Sequence, residues 1–185
     1  MGQVIEGSNG VPVEATEHGL KVDSTAVSQH HKAAHDGYAY FFPIDGIGTN
    51  GAEHLAVIKN TSSLSLHVSA IRLFVATFKD TTRIKVYLNE TLTYAANGTA
   101  VVPVNLKSGL VGGAVGEFYT ITAAGTDITT FAGTAVIGGI YVFERYPILI
   151  TDPGGWVVPP NQVFSLYNVG NDNTFYGGID FYYHG

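Results

Sequence analysis

The sequence predicts an all-β fold, an antiparallel sandwich or barrel preceded by one short helix. Three observations carry that expectation. About ten short apolar runs follow one another with turn residues between them, the pattern of sandwiches and barrels. The 23 glycines are spread along the chain rather than gathered in one segment, as repeated turns require. The block from Glu53 to Asn89 alternates with a period of two. In it Leu64, Leu66 and Val68 oppose Ser65, His67 and Ser69, and Ile84, Val86 and Leu88 oppose Lys85, Tyr87 and Asn89. That period puts successive side chains on opposite faces of a half-buried strand.

The elements follow in order. Residues 1–19 lack apolar periodicity and carry Gly2, Gly7, Gly10, Pro12 and Gly19, so they read as an extended arm or a loosely paired strand. Leu20 to Asp23 reads as a short strand. Ser24 suits the N-cap of a helix that passes through Val27, His31 and Ala34 and stops at Gly37, a favourable C′ residue. Tyr38 to Phe42 reads as a strand closed by Pro43, followed by a loop with Gly46, Gly48 and Gly51. Turns at Asn60–Ser63 and Lys79–Thr82 separate the strands of the central block, as in an antiparallel meander. Within it the run Ile71 to Phe78 is apolar on both faces and needs two covers. Asn97-Gly98 predicts a hairpin between Leu92–Tyr94 and Val101–Val102. Gly109 to Gly116 reads as a loop, and Phe118–Thr122, Ala135–Phe143, Arg145–Thr151, Val163–Tyr167 and Thr174–Tyr183 supply the remaining strands. No internal repeat is evident, so residues 1–36 form an arm with a helix and residues 37–185 one β-domain.

Composition narrows the function classes. A chain of 185 residues is one domain by expectation and buries roughly 70% of its unfolded surface. Such a core needs no staples, consistent with the absence of cysteine, and nothing demands an oxidising compartment. Net charge is −6, and of nine basic residues only Lys79, Arg83 and Lys85 fall close together, which argues against a nucleic-acid surface. The N-terminal residues lack a basic and then apolar leader, and Glu6 stands where myristoylation needs Ser or Thr. The most apolar stretch, Ala135 to Ile150, is broken by Gly138, Gly139, Glu144, Arg145 and Pro147, so no membrane span is expected. A soluble protein made in the cytoplasm is the expectation.

Catalytic motifs are scarce. His31 and His35 stand one helical turn apart, with His30 beside them, and could reach a metal together. A zinc helix wants Glu directly after the first His, however, and Lys32 occupies that place. A solvated helix face, or histidines packed on a neighbouring subunit, accounts for the cluster without a metal, and no metal or cofactor is assigned. There is no G-x-S-x-G elbow, no Walker A sequence and no EF-hand register around Asn171-Asp172-Asn173-Thr174. No enzyme is expected.

Two features favour an interface instead. Ile71 to Phe78 and Ala135 to Phe143 are apolar on both faces, and a sandwich covers only the inner one. The run Phe175 to Tyr183 is aromatic on both faces, and tyrosine suits interfaces because its ring packs while its hydroxyl hydrogen-bonds. The expected oligomer contacts are Ile71, Leu73, Phe74, Phe78, Tyr141, Phe143, Tyr176, Phe181 and Tyr183.

Several segments carry a family resemblance. Leu20-Lys21-Val22, the polar helix with His30-His31, and Gly37-Tyr38-Ala39-Tyr40 lead into Leu55-Ala56-Val57-Ile58-Lys59-Asn60-Thr61. Later, Asp152-Pro153-Gly154-Gly155-Trp156-Val157-Val158-Pro159-Pro160 forms a Pro/Gly loop entering a late strand. Together these resemble the small virion structural proteins of tailed bacteriophages. The resemblance implies an antiparallel, jelly-roll-like β-sandwich with a short N-terminal helix and an extended arm, commonly trimeric, that decorates or cements the capsid. Its partners would be itself and the major capsid protein or another virion protein, with no nucleic acid and no membrane. The arm, through Val4, Ile5, Val11 and Val13, would reach onto the shell. The competing expectation is a receptor-binding or fibre-head module whose Tyr176, Tyr182 and Gly109–Gly116 loop grip host surface glycans.

Overall fold

A computed structural model describes residues 5–6, 12–16, 19–21, 29–77, 82–94, 98–107, 109, 113–124, 128–132, 135–142, 147–170 and 172–184. The strands are β1 (Ile5–Glu6), β2 (Pro12–Thr16), β3 (Gly19–Lys21), β4 (Ala39–Asn50) and β5 (Glu53–Asn60). They continue as β6 (Ser65–Thr77), β7 (Thr82–Tyr94), β8 (Gly98–Ala100), β9 (Val104–Asn105) and β10 (Gly116–Ile121). The last are β11 (Thr129–Ala132), β12 (Ala135–Val142), β13 (Ile148–Val158), β14 (Val163–Asn168) and β15 (Asp172–His184), and α1 (Gln29–Asp36) precedes β4.

Two antiparallel sheets make the sandwich. One runs β13-β6-β15-β4-β9; the other runs β11-β7-β14-β5-β10-β8, with β12 also paired to β7. Taking β4, β5, β6, β7, β12, β13, β14 and β15 in chain order, the sheets contain β4-β15-β6-β13 and β5-β14-β7-β12. That alternation, with the first and last strands side by side, is the order of a jelly roll. Strands β8 to β11, inserted between β7 and β12, extend the sheet edges. The N-terminal residues are more than an extended arm: β1, β2 and β3 pair into a three-stranded sheet in which Ile5 lies opposite Val13.

Periodicity explains the core. Leu66, Val68, Ile84 and Val86 are fully buried, as their alternation requires. They meet Phe42, Leu55, Ile58, Phe118, Phe164, Phe175 and Phe181 between the sheets. Each such side chain contributes roughly 1.5–3 kcal/mol by leaving water. Two buried asparagines tie strands together through their amide nitrogens. Asn168 Nδ2 donates to Thr49 Oγ1 (2.8 Å) and Gly51 O (2.9 Å), and Asn60 Nδ2 donates to Leu64 O and Val158 O (both 2.8 Å).

Several local expectations are corrected. The central block is not a meander, because β5 and β7 lie in one sheet and β6 in the other. The runs around Leu66 and Leu73 form one strand, β6. A register shift opposite Asp180 and Phe181 changes the phase between Val68 and Ile71, so both runs point inward. Asn97-Gly98 does not close a hairpin: Leu92 pairs with Phe131 of β11, whereas Ala100 pairs with Tyr119 of β10. The strand from Ala39 does not stop at Pro43 but continues to Asn50. β9 pairs only Tyr40 and Phe41, so Pro43 lies where β4 is an open edge and a missing N–H is tolerated.

The strand with two covers is also a different one. β5 is buried on both faces; Val57, opposite in direction to Ile58, joins Val163, Ile121 and Ile128 in a second apolar cluster. The chain itself supplies that cover. On β6 the outer face carries exposed Arg72 and Ala76, so among the described residues the apolar surplus expected there reduces to Phe74, which is half-buried.

Close approach between strands rests on Gly177 and Gly178. Gly177 has φ +129°, and a Cβ there would stand 2.1 Å from the Arg72 carbonyl oxygen. Gly177→Ala is therefore expected to destabilise the fold by about 3 kcal/mol or more, combining overpacking with backbone strain. Gly113→Ala, which meets open space, serves as the near-neutral control in denaturant titrations.

Candidate functional site

The outer face of the five-stranded sheet is where polar and aromatic groups converge. Pairing of β15 with its neighbours sets Asp180 opposite Ala70 and Phe41, and Gly178 opposite Arg72 and Pro43. Gly178 has no side chain, and a Cβ there would lie 2.4 Å from the Phe41 ring. The gap lets Arg72 lie across β15, with its guanidinium carbon 6.0 Å from the centre of the Phe41 ring and its Nη2 paired with the Asp180 carboxylate.

Asp180 is 3% exposed, although its side chain is an acid. Burial raises its pKa above the ordinary carboxylate value, while Arg72 and then His30 oppose that rise. Arg72 keeps more than half of its side chain in solvent, so this is a buried acid held by a half-exposed base.

Helix α1 closes one side. Its end is built by Gly37, φ 88°, with Gly37 N–H bonded to Ala34 O and Tyr38 N–H bonded to Ala33 O (2.7 Å), the Schellman pattern. Ala33 then packs on Ala39 and Tyr182. The Tyr182 hydroxyl donates to Gln29 Oε1 (3.3 Å), and its ring stacks on His67 with centroids 5.0 Å apart. His30 meets the same tyrosine edge-on at 5.9 Å, and its buried Nε2 finds no hydrogen-bond partner among the described residues. His31 and His35 instead face solvent, so the helix separates the three histidines that the sequence places together. Between α1 and β13 lies a groove of ≈ 530 Å³, floored by Ser69, Arg72 and Asp180 and flanked by Leu149 and Thr151.

A second feature is apolar. Tyr38, Leu64, Val102, Val104, Leu106 and Val115 are all exposed large hydrophobic residues, with Val102 at 80%. They gather along one rim. Leu106 N–H bonds to Ala39 O beside Tyr38, Val104 pairs with Phe41, and Val115 O accepts from the Tyr183 hydroxyl. Leu64 and Tyr38 line one cavity of ≈ 380 Å³ with Tyr183. Burial of that tyrosine, reinforced by neighbouring Tyr40, raises its pKa, so its hydroxyl remains a donor.

No family model, curated protein or solved structure matches the chain.

The expected oligomer contacts divide. Ile71, Leu73, Phe181 and Tyr183 belong to the protein's own core and are not available to a second subunit, because their strand phase points them at the facing sheet. Phe74 and Tyr176 lie together on the outer face, ring centres 6.4 Å apart, with Tyr176 exposed. Tyr141 sits in β12 opposite Arg83. Phe78 and Phe143 fall outside the described residues, as do Val4 and Val11 of the arm, while Ile5 and Val13 pair in β1 and β2. Tyr182, expected to grip a glycan, is covered by α1. Sequence reasoning missed the Asp180–Arg72 pair and the Val102–Leu106 rim. Alternation of Asp180 with Ile179 and Phe181 signals an acid on an outer face, and Val102, Val104 and Leu106 have the spacing of one strand face.

Removing Arg72 tests the electrostatics. A raised folded-state pKa means that the native state holds the Asp180 proton more tightly than the unfolded chain. Its contribution is therefore favourable below the ordinary carboxylate value and is lost as pH rises through the raised one. Arg72→Leu leaves the carboxylate without its base, so it should cost about 1–2 kcal/mol at neutral pH, after allowance for the exposure of Arg72. The cost should shrink on acidification through the Asp180 titration, measured by denaturation at paired pH values.

Proposed function

We propose that this protein is a structural subunit of a virus particle, a jelly-roll decoration or cement protein that binds the assembled shell as a homo-oligomer. The observation that carries the reading is the apolar rim of Tyr38, Leu64, Val102, Val104, Leu106 and Val115. Exposed apolar residues scattered singly are ordinary, but a contiguous group marks an association surface. Its occupant in this reading is a second copy of the chain, arranged as a trimer as the family resemblance implies. The rim belongs to the edge carrying the two-residue strand β9, where short pairing leaves the backbone as well as the side chains open to a neighbour.

The N-terminal segment takes the second role. With its own three-stranded sheet, it is the part that would reach the major capsid protein or another virion protein. The paired Ile5 and Val13 are its described apolar residues among the four expected there. The fold alone supports this reading only by analogy, since jelly rolls serve many functions. The rim gives it physical content.

Two measurements test it. Light scattering on the purified full chain should return a trimer mass, and the double variant Val104→Glu with Leu106→Glu should weaken assembly by about 100-fold or more with unchanged circular dichroism. A wild-type monomer at high micromolar concentration would overturn the oligomer. Deleting residues 1–19 should abolish binding to purified capsids while leaving the trimer intact; unchanged capsid binding would overturn the role of the arm.

A further inference from the structure

The groove between α1 and β13 is built differently from the apolar rim. Seven of the side chains that line it carry hydrogen-bonding groups: Gln29, His30, Ser69, Arg72, Thr151, Asp180 and Tyr182. They come from four separate elements, so the groove is an assembled concavity and not one strand's surface. Its one exposed apolar wall is Leu149, at 60%.

The charges on the floor cancel. Asp180 and Arg72 form a pair, which leaves no net field to select an anion or a cation, yet they present a carboxylate acceptor beside guanidinium donors. Ser69 and Thr151 add hydroxyls to the groove. Neutral molecules carrying several adjacent hydroxyls match this mixture of donors and acceptors, and Leu149 offers a wall for their carbon face.

We propose that this groove binds a neutral polyhydroxyl ligand of saccharide chemistry, with Asp180 and Arg72 addressing adjacent hydroxyls and Thr151 a third. The site is independent of the rim, so an assembled subunit can carry it without either reading depending on the other.

The test is an amide chemical-shift titration of the full chain with glucose, galactose, mannose and N-acetylglucosamine separately, each to about 50 mM, the range that a small open site requires. Inorganic phosphate is titrated in parallel. Saturable shifts from at least one sugar at Gln29, Ser69 and Thr151 are expected. Asp180→Asn should weaken that binding about tenfold or more, because a charged hydrogen bond is lost. Should Asp180→Asn fail to fold, Thr151→Val on the rim of the groove decides the matter, with an expected loss of about threefold. The proposal is overturned if no sugar gives saturable shifts, if the shifts map away from the groove, if phosphate alone produces them, or if the folded variants bind as the wild type does.

Discussion

Everything in the sandwich depends on the placement of its last strand at the centre of a sheet. β15 lies between β4 and β6, pairing along nearly its whole length with both. Its inward residues Phe175, Ile179, Phe181 and Tyr183 form much of the core. Phe181 alone stacks on Tyr40 and Phe118 and meets Tyr183 edge-on, joining three strands through one ring. The sheet therefore stays open until residues near 180 arrive. Pairings that span most of the chain carry a large loop-closure cost before they return any stability, so folding is expected to be slow for a domain of this size.

The same strand also builds the outer face. A central strand leaves no room for side chains that splay outward without neighbours, so Gly177 and Gly178 let β4 and β6 approach while Asp180 and Tyr182 find specific partners. Burying Asp180 costs free energy that its ion pair offsets only in part, which is the meaning of its raised pKa. A plain hydrophobic residue there would place less demand on the fold. A buried acid beside an open groove has a physical rationale when a ligand uses it.

Much of this was legible in the sequence, and the failures have particular causes. Alternation at Leu66, Val68, Ile84 and Val86 identifies inward residues because a strand's period is two whatever its partner. Gly37 marks the helix end because the left-handed conformation there favours glycine. Strand partners were not legible. Asn97-Gly98 has strong local turn chemistry, but β8 and the end of β7 gain more from separate partners, β10 and β11. The bulge near Ser69 hid the unity of β6, since a one-residue phase change turns a continuous strand into two apparent ones.

The interface expectation went astray for the same reason, and its correction sharpens the functional reading. Counting Ile71, Leu73, Phe181 and Tyr183 as surplus assumed that a strand apolar in sequence is apolar on both faces in space. The sandwich absorbs all four. Among the described residues, Val102, Val104 and Leu106 form an exposed apolar group elsewhere, in the segment inserted between β7 and β12. The insertion sends Phe118, Ile121 and Ile128 into the interior, but Val102, Val104 and Leu106 stay outside it. Side chains that the fold neither buries nor requires are those whose apolar character calls for a partner outside it. The strongest case for association therefore comes from the insertion, and the rim is where assembly variants belong.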